Sequence, residues 1–216
     1  METMNNHSVA TQRVYNLIIL DESGSMELIK REAISGFNET VQTIASAQGK
    51  FPAQQHYVSL VVFNTDAIRI VYDKVPVTAV PTLDAQSYRP NCGTPLYDAM
   101  GMAMLSLRQT VTTEDIVLVT VITDGEENSS REFNGMQIKQ LVEQMRTEGW
   151  VFTYIGTNQD VAKVADTLSI NNSISFCYSE EGTKEVFKRE KACRSRFFSR
   201  LAEKGTPCDR GYFEED

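Results

Sequence analysis

Three stretches of this chain are almost unbroken runs of apolar residues, and each ends abruptly at polar ones. They are Val14–Leu20 before Asp21, His56–Phe63 before Asn64, and Asp115–Thr123 before Asp124. A strand wetted on one face alternates apolar and polar residues, whereas a continuous run marks a strand covered on both faces. Between these runs the period changes. Ile29, Ala33, Phe37, Val41 and Ile44 recur at helical spacing, as do Leu96, Met100, Ala103, Met104 and Leu107, and then Ile138, Leu141, Val142 and Met145. Trp150–Ile155 and Ser173–Tyr178 are predicted as further strands. Val161–Leu168 is predicted as a short helix, and a charged helix is predicted from about Thr183 to Lys204. Strands alternating with helices predict an α/β fold: a Rossmann-like open, mostly parallel sheet of about six strands with helices on both faces.

Local punctuation refines this. Asn64-Thr65-Asp66 is too short for a crossover, so 56–63 and 67–72 are predicted to form an antiparallel hairpin. Gly49 and Gly149 are placed to end helices. Residues 73–93, with Pro76, Pro81, Pro90 and Gly93, form a long aperiodic excursion, and long loops inside compact domains often carry function. One domain over 13–206 is expected, with a flexible polar leader at 1–12 and a frayed tail at 207–216.

Several function classes are disfavoured. A net charge of -8 argues against sequence-independent binding to nucleic acid. No apolar run approaches the roughly 20 residues that span a bilayer, and 1–12 has no apolar segment resembling a signal peptide, so a cytoplasmic protein with no membrane partner is expected. Cys92, Cys177, Cys193 and Cys208 make no CxxC pair, and His7 and His56 are the only histidines. A zinc site is therefore not expected, and mostly buried, reduced thiols are.

In such a sheet, ligands bind beyond the carboxyl ends of the strands. Asp21, Ser23 and Ser25 follow the first strand, Thr94 stands where the long loop enters a helix, and Asp124 follows Val121-Ile122-Thr123. Two carboxylates and three hydroxyls, with no nitrogen or sulfur, are hard ligands suited to Mg²⁺, with Mn²⁺ or Ca²⁺ as alternatives. Taken singly, Ser23, Ser25 or Thr94 is as readily a helix cap, and Asp124-Gly125 a turn.

Together, Asp21-Glu22-Ser23-Gly24-Ser25 resembles the DxSxS motif of the von Willebrand factor A (vWA) domain. Gly93-Thr94-Pro95-Leu96 resembles that family's threonine element, and Thr123-Asp124-Gly125 its aspartate element. The resemblance implies a metal-ion-dependent adhesion site on a sheet with one antiparallel edge strand. It implies direct ligation by Ser23, Ser25 and Thr94, and ligation by Asp21 and Asp124 directly or through water. It further implies a non-enzymatic protein-binding module of the stand-alone prokaryotic or phage type. The open coordination position of its ion would accept an Asp or Glu of a partner protein. Within the family such partners include ATPases and components of stress systems. The competing reading is a Mg²⁺-dependent phosphatase or phosphotransferase with Asp21 as nucleophile, but the position two residues on is Ser23, which leaves no general acid. A nucleotide-binding turn would need more glycine than Gly24 supplies.

Around these residues, Glu22 is expected to point away from the ion, and Glu126 and Glu127 to be a solvated loop. Cys92 is a candidate redox handle, and Tyr88 and Arg89 are candidate partner contacts. Met100, Met102 and Met104 are expected to pack internally. The basic residues of the last helix (Lys184, Lys188, Arg189, Lys191, Arg194 and Arg196) are expected to form a solvated face.

Overall fold

A computed structural model describes residues 11–157, 160–209 and 211–214. The leader expected at 1–12 lies mostly outside them, although Gln12 already begins the first strand. In chain order the elements are β1 (Gln12–Asp21), a 3-10 turn (Gly24–Ile29), α1 (Lys30–Lys50), β2 (Gln54–Phe63) and β3 (Ile68–Pro76). They continue with α2 (Leu96–Arg108), β4 (Ile116–Thr123), α3 (Gly135–Thr147), β5 (Val151–Gly156), α4 (Val161–Thr167), β6 (Asn172–Ser175) and α5 (Glu180–Lys204).

The six strands form one sheet in the order β3-β2-β1-β4-β5-β6. All neighbours are parallel except β2 and β3, the expected hairpin. Side chains alternate between two cores. Val14, Ile18 and Leu20 of β1 face one core with residues of α1 and α5, while Tyr15, Leu17 and Ile19 face the other with residues of α2 and α3. Burying such a side chain stabilises by about 1.5–3 kcal/mol, so a one-residue slip of register would expose many at once.

Several boundaries differ from expectation for local reasons. Gly49 does not end α1, because Phe51 still donates its N–H to Ala47 O at 2.7 Å; the left-handed glycines near helix ends are Gly149 (φ 89°) and Gly205 (φ 72°). β3 runs on to Pro76 through an irregularity where Lys74 (φ 51°) donates its N–H to Ser59 Oγ. β6 stops at Ser175, and Ser179 caps α5 by accepting from Gly182 N. Within the stretch expected to fray, Tyr212 and Phe213 are buried in the core beside Phe197.

The last helix holds the largest departure. Arg194, expected in solvent, is 0% exposed. Its guanidinium donates to Glu190 Oε1 (2.6 Å), Asn16 Oδ1 (3.1 Å) and Thr120 Oγ1 (2.8 Å), and Tyr212 Oη donates to the same Glu190 oxygen. Nearby His56 pairs Nε2 with Gln54 Oε1, and burial together with the Arg194 charge pushes its pKa down to about 4. Met100 and Met104 are core residues while Met102 is exposed. Of the thiols only Cys193 is buried, because the other three lie on surface loops or the tail. No described helix is long and apolar enough to cross a membrane.

Candidate functional site

The chain builds outward from β1 to β2 and β3, then crosses to β4 on the other side of β1. Loops leaving β1 and β4 therefore diverge and open a crevice at their carboxyl ends, the usual ligand position in such sheets. Leu20 is in register with Ile122, which brings Asp21 level with Thr123. Thr123 Oγ1 donates to Asp21 Oδ2 at 2.6 Å, and Ser23 N donates to Asp21 Oδ1 at 2.7 Å. Ser25 Oγ lies 3.1 Å from Ser23 Oγ and donates to Asp124 Oδ1 at 2.7 Å.

Thr94 is delivered by the long loop, which is stitched to both neighbours. Gly24 N donates to Cys92 O and Asn91 N to Glu22 O on the β1 side. On the β4 side Thr94 N donates to Asn128 Oδ1 (3.0 Å) and Asn128 N to Thr94 O (3.2 Å). Gly93 permits this approach, since a Cβ there would come within 2.5 Å of Ser129 Oγ and 2.7 Å of Thr65 Oγ1. Beside the hydroxyls stands Gly125, whose absent Cβ would sit 3.4 Å from Thr94 Oγ1 and 3.8 Å from Ser25 Oγ. The structure thus gathers Asp21, Ser23, Ser25, Thr94 and Asp124 around one crevice.

The capping alternatives do not describe these hydroxyls. Ser23 precedes the 3-10 turn without capping it through its side chain. At the start of α2, Tyr97 N is satisfied by Glu127 Oε2 and Asp98 N by Ser130 Oγ, which leaves Thr94 Oγ1 free of that duty. Glu127 also accepts from Ser129 N and Ser130 N. It is therefore a brace for the loop rather than a solvated side chain, while Glu126 is exposed as expected.

The electrostatics are unbalanced. Asp21 is 0% and Asp124 1% exposed. Burial raises both carboxyl pKa values, that of Asp21 to about 6 against the opposing hydrogen bonds from Thr123 and Ser23. Asp124 Oδ2 is buried and has no hydrogen-bond partner among the described residues. An orphaned anionic oxygen beside a second buried carboxylate and three hydroxyls fits a small hard cation. No cluster of three or more His, Cys, Asp and Glu side chains occurs among the described residues, so an ion here would depend on the hydroxyls.

The surrounding residues sort themselves differently from the sequence reading. Tyr88 is fully buried and donates to Asp21 O at 2.5 Å, so it fixes the backbone of the site instead of meeting a partner. Glu22 does point away: it accepts twice from Arg69 Nη2 (2.7 and 2.8 Å) and from Arg89 N. Sequence reasoning missed Thr123, Asn128, Tyr178 and Asp98. Tyr178 donates to Ser25 O, and Asp98 accepts from the backbone of Arg131, Glu132 and Phe133. Only Thr123 had a signal, as the residue next to Asp124.

Neither a scan of protein-family models nor a search of curated proteins finds a match. Solved structures do share the fold. A variant of the PilB minor pilin from Streptococcus sanguinis aligns with a TM-score of 0.63 at 14% identity over 92% of this chain. Proximal thread matrix protein 1 from the mussel byssus gives 0.58 at 15% identity over 82%, and the SpRpn10 VWA domain 0.51 at 11% over 82%. The chain spans 64% of the pilin's length, 45% of the byssus protein's and 94% of the VWA domain's. At these identities the likeness is one of fold, and that fold is vWA-like.

Proposed function

We propose that this chain is a non-enzymatic protein-binding module. Its metal-ion-dependent adhesion site is formed by Asp21, Ser23, Ser25, Thr94 and Asp124. One observation carries the reading: among the described residues Asp124 Oδ2 is buried without a hydrogen-bond partner, in a crevice that also holds a second carboxylate and the hydroxyls of Ser25 and Thr94. A cation supplies the missing positive charge and a coordination position for an outside ligand. The hydroxyls are neutral, and both Asp21 oxygens already accept hydrogen bonds. An ion held this way keeps affinity for one more anionic oxygen, such as the Asp or Glu of a partner protein. Mg²⁺ suits so compact an oxygen set, with Mn²⁺ as a close substitute and Ca²⁺ a poorer one.

A phosphatase role for Asp21 has less support. A nucleophilic carboxylate needs an oxygen free to attack, and the residue two positions on is Ser23, already beside Ser25. The vWA-like fold agrees with the binding reading without selecting a partner.

The test is a titration of EDTA-stripped protein with Mg²⁺, Mn²⁺ and Ca²⁺, followed by melting temperature. A cation bound only by the folded form stabilises by mass action, about 2.7 kcal/mol at a hundredfold excess over Kd. A saturable rise that disappears in Asp21→Ala and Thr94→Ala is expected. A wild-type protein that binds no cation at millimolar concentration by calorimetry would sink the proposal.

A further inference from the structure

Two clefts flank the crevice, and they differ in charge. On the β3 side an open cleft of about 710 Å³ is walled by Arg69 and Arg89, with Glu22 as its floor and the amides of Asn64, Gln86 and Asn91 around it. Toward α4, a second cleft of about 360 Å³ carries Glu126, Glu127 and Asp160, with Lys163 as its only cation. The first adjoins the metal loop directly, since Glu22 stands between Asp21 and Ser23.

The donors of the first cleft are only partly used. Arg69 reaches Glu22 and Ser87 O through Nη2 alone, leaving Nε and Nη1 without a hydrogen-bond partner among the described residues. Arg89 is exposed; its backbone N–H is engaged at Glu22, its guanidinium makes no hydrogen bond among the described residues, and its charge helps lower the pKa of nearby Asp84. The Glu22 carboxylate is already matched by Arg69 and by that N–H, so it does not cancel Arg89. Two further anions stand nearby: Asp66, exposed at the lip and engaged by the Cys92 thiol at 3.2 Å, and Asp84, outside the lining, whose Oδ1 already accepts from Gln86 N and from Ser87. A guanidinium with open donors binds a carboxylate with two parallel hydrogen bonds.

We propose that the Arg69–Arg89 cleft receives a second acidic side chain of the partner. The preferred ligand is then an acidic peptide segment: one carboxylate meets the ion and another, a short distance along the chain, meets Arg89. The acidic cleft toward α4 repels the reverse orientation, so the two clefts set the direction in which the segment lies. This rests on the adhesion-site reading, whose oxygen donors it does not use.

The experiment uses the full chain in Mg²⁺ and three capped peptides. One carries no acid, one carries a single glutamate, and one carries two glutamates separated by two glycines. Cation binding to the protein is measured first by calorimetry, and its absence fells the adhesion-site reading. With cation bound, the two-acid peptide is expected to bind at least about fivefold more tightly than the single-acid peptide at low salt, with the preference fading at high salt. Chemical-shift changes should fall on Arg89, Gln86 and Asn91. Arg89→Ala should remove the preference. Equal binding of the two acidic peptides, a preference that survives Arg89→Ala, or no peptide binding at millimolar concentration would each overturn the proposal.

Discussion

Beneath α5, the guanidinium of Arg194 and the carboxylate of Glu190 are sealed against the middle of the sheet, where Asn16 and Thr120 accept from the guanidinium and Tyr212 donates to Glu190 Oε1. At the carboxyl ends of β1 and β4, Asp21 and Asp124 are just as buried, yet among the described residues no cationic side chain contributes to their titration. Among the described residues each region leaves one carboxylate oxygen without a hydrogen-bond partner, Glu190 Oε2 in the first and Asp124 Oδ2 in the second. In the first the opposite charges cancel within the chain. In the second two like charges remain, and the crevice opens toward solvent-facing loops. Burial of charge alone therefore does not mark a binding site. On the proposed reading, what distinguishes one is burial whose compensation comes from outside.

The sharpest way to break this contrast is to remove the internal cation. Arg194→Met should destabilise the protein by about 3–5 kcal/mol in urea unfolding, because Glu190 is left charged and buried. Adding Glu190→Leu should restore much of the loss, since a well-packed apolar pair can replace a buried ion pair. A single-variant cost below about 1 kcal/mol would mean that the sealed region is less dry than its contacts suggest.

Asp124→Asn makes the opposite test. In EDTA it relieves like-charge burial, and stability should hold or rise by up to about 1 kcal/mol. In Mg²⁺ the same variant should lose the cation-dependent rise in melting temperature. A variant destabilised equally with and without cation would place Asp124 among the structural charges.

Acidity separates the regions by sign. His56 is held neutral, with its pKa pushed from 6.5 to about 4. The unfolded chain binds the proton first, so this group contributes stability fully above about 6.5, and that stability is lost as pH falls toward 4. The effect is about 3 kcal/mol at most. Asp21, raised by burial to about 6, slopes the other way over much of the same range. The difference between wild type and His56→Gln, measured by urea unfolding from pH 4 to pH 7, isolates the histidine. A difference without slope would mean that the ring is protonated normally.

The two regions were not equally legible in the sequence. Asp21, Ser23, Ser25 and Asp124 stand at or just after strand ends, where spacing survives folding unchanged, while Thr94 at the end of a long loop was placed with them by the resemblance to the vWA motifs. Arg194 looked like its solvated neighbours because nothing in a charged helical pattern marks which cation turns inward. A trace was present, however: Asn16 and His56 interrupt otherwise apolar strand runs, and buried polar residues require partners. Tyr88 was left open as a candidate partner contact for a related reason, since an aromatic residue in a long loop can face solvent or fold back beneath its own site. Here its hydroxyl reaches Asp21 O across 67 residues of chain, a contact no local pattern encodes.

The smallest expected effect concerns the one segment that touches both regions. Tyr178 stands just before α5 and donates its hydroxyl to Ser25 O, while Arg194 lies further along the same helix. Tyr178→Phe removes the partly exposed hydrogen bond to Ser25 O together with the hydroxyl's favourable interaction with the Asp124 carboxylate, and should cost about 0.5–1 kcal/mol. If charge is balanced separately in the two regions, this loss and that of Arg194→Met should add within about 0.5 kcal/mol in the double variant. A coupling energy well beyond that margin would show that α5 carries strain from the sealed charges to the open ones. The crevice would then be tuned by the helix that closes the other region.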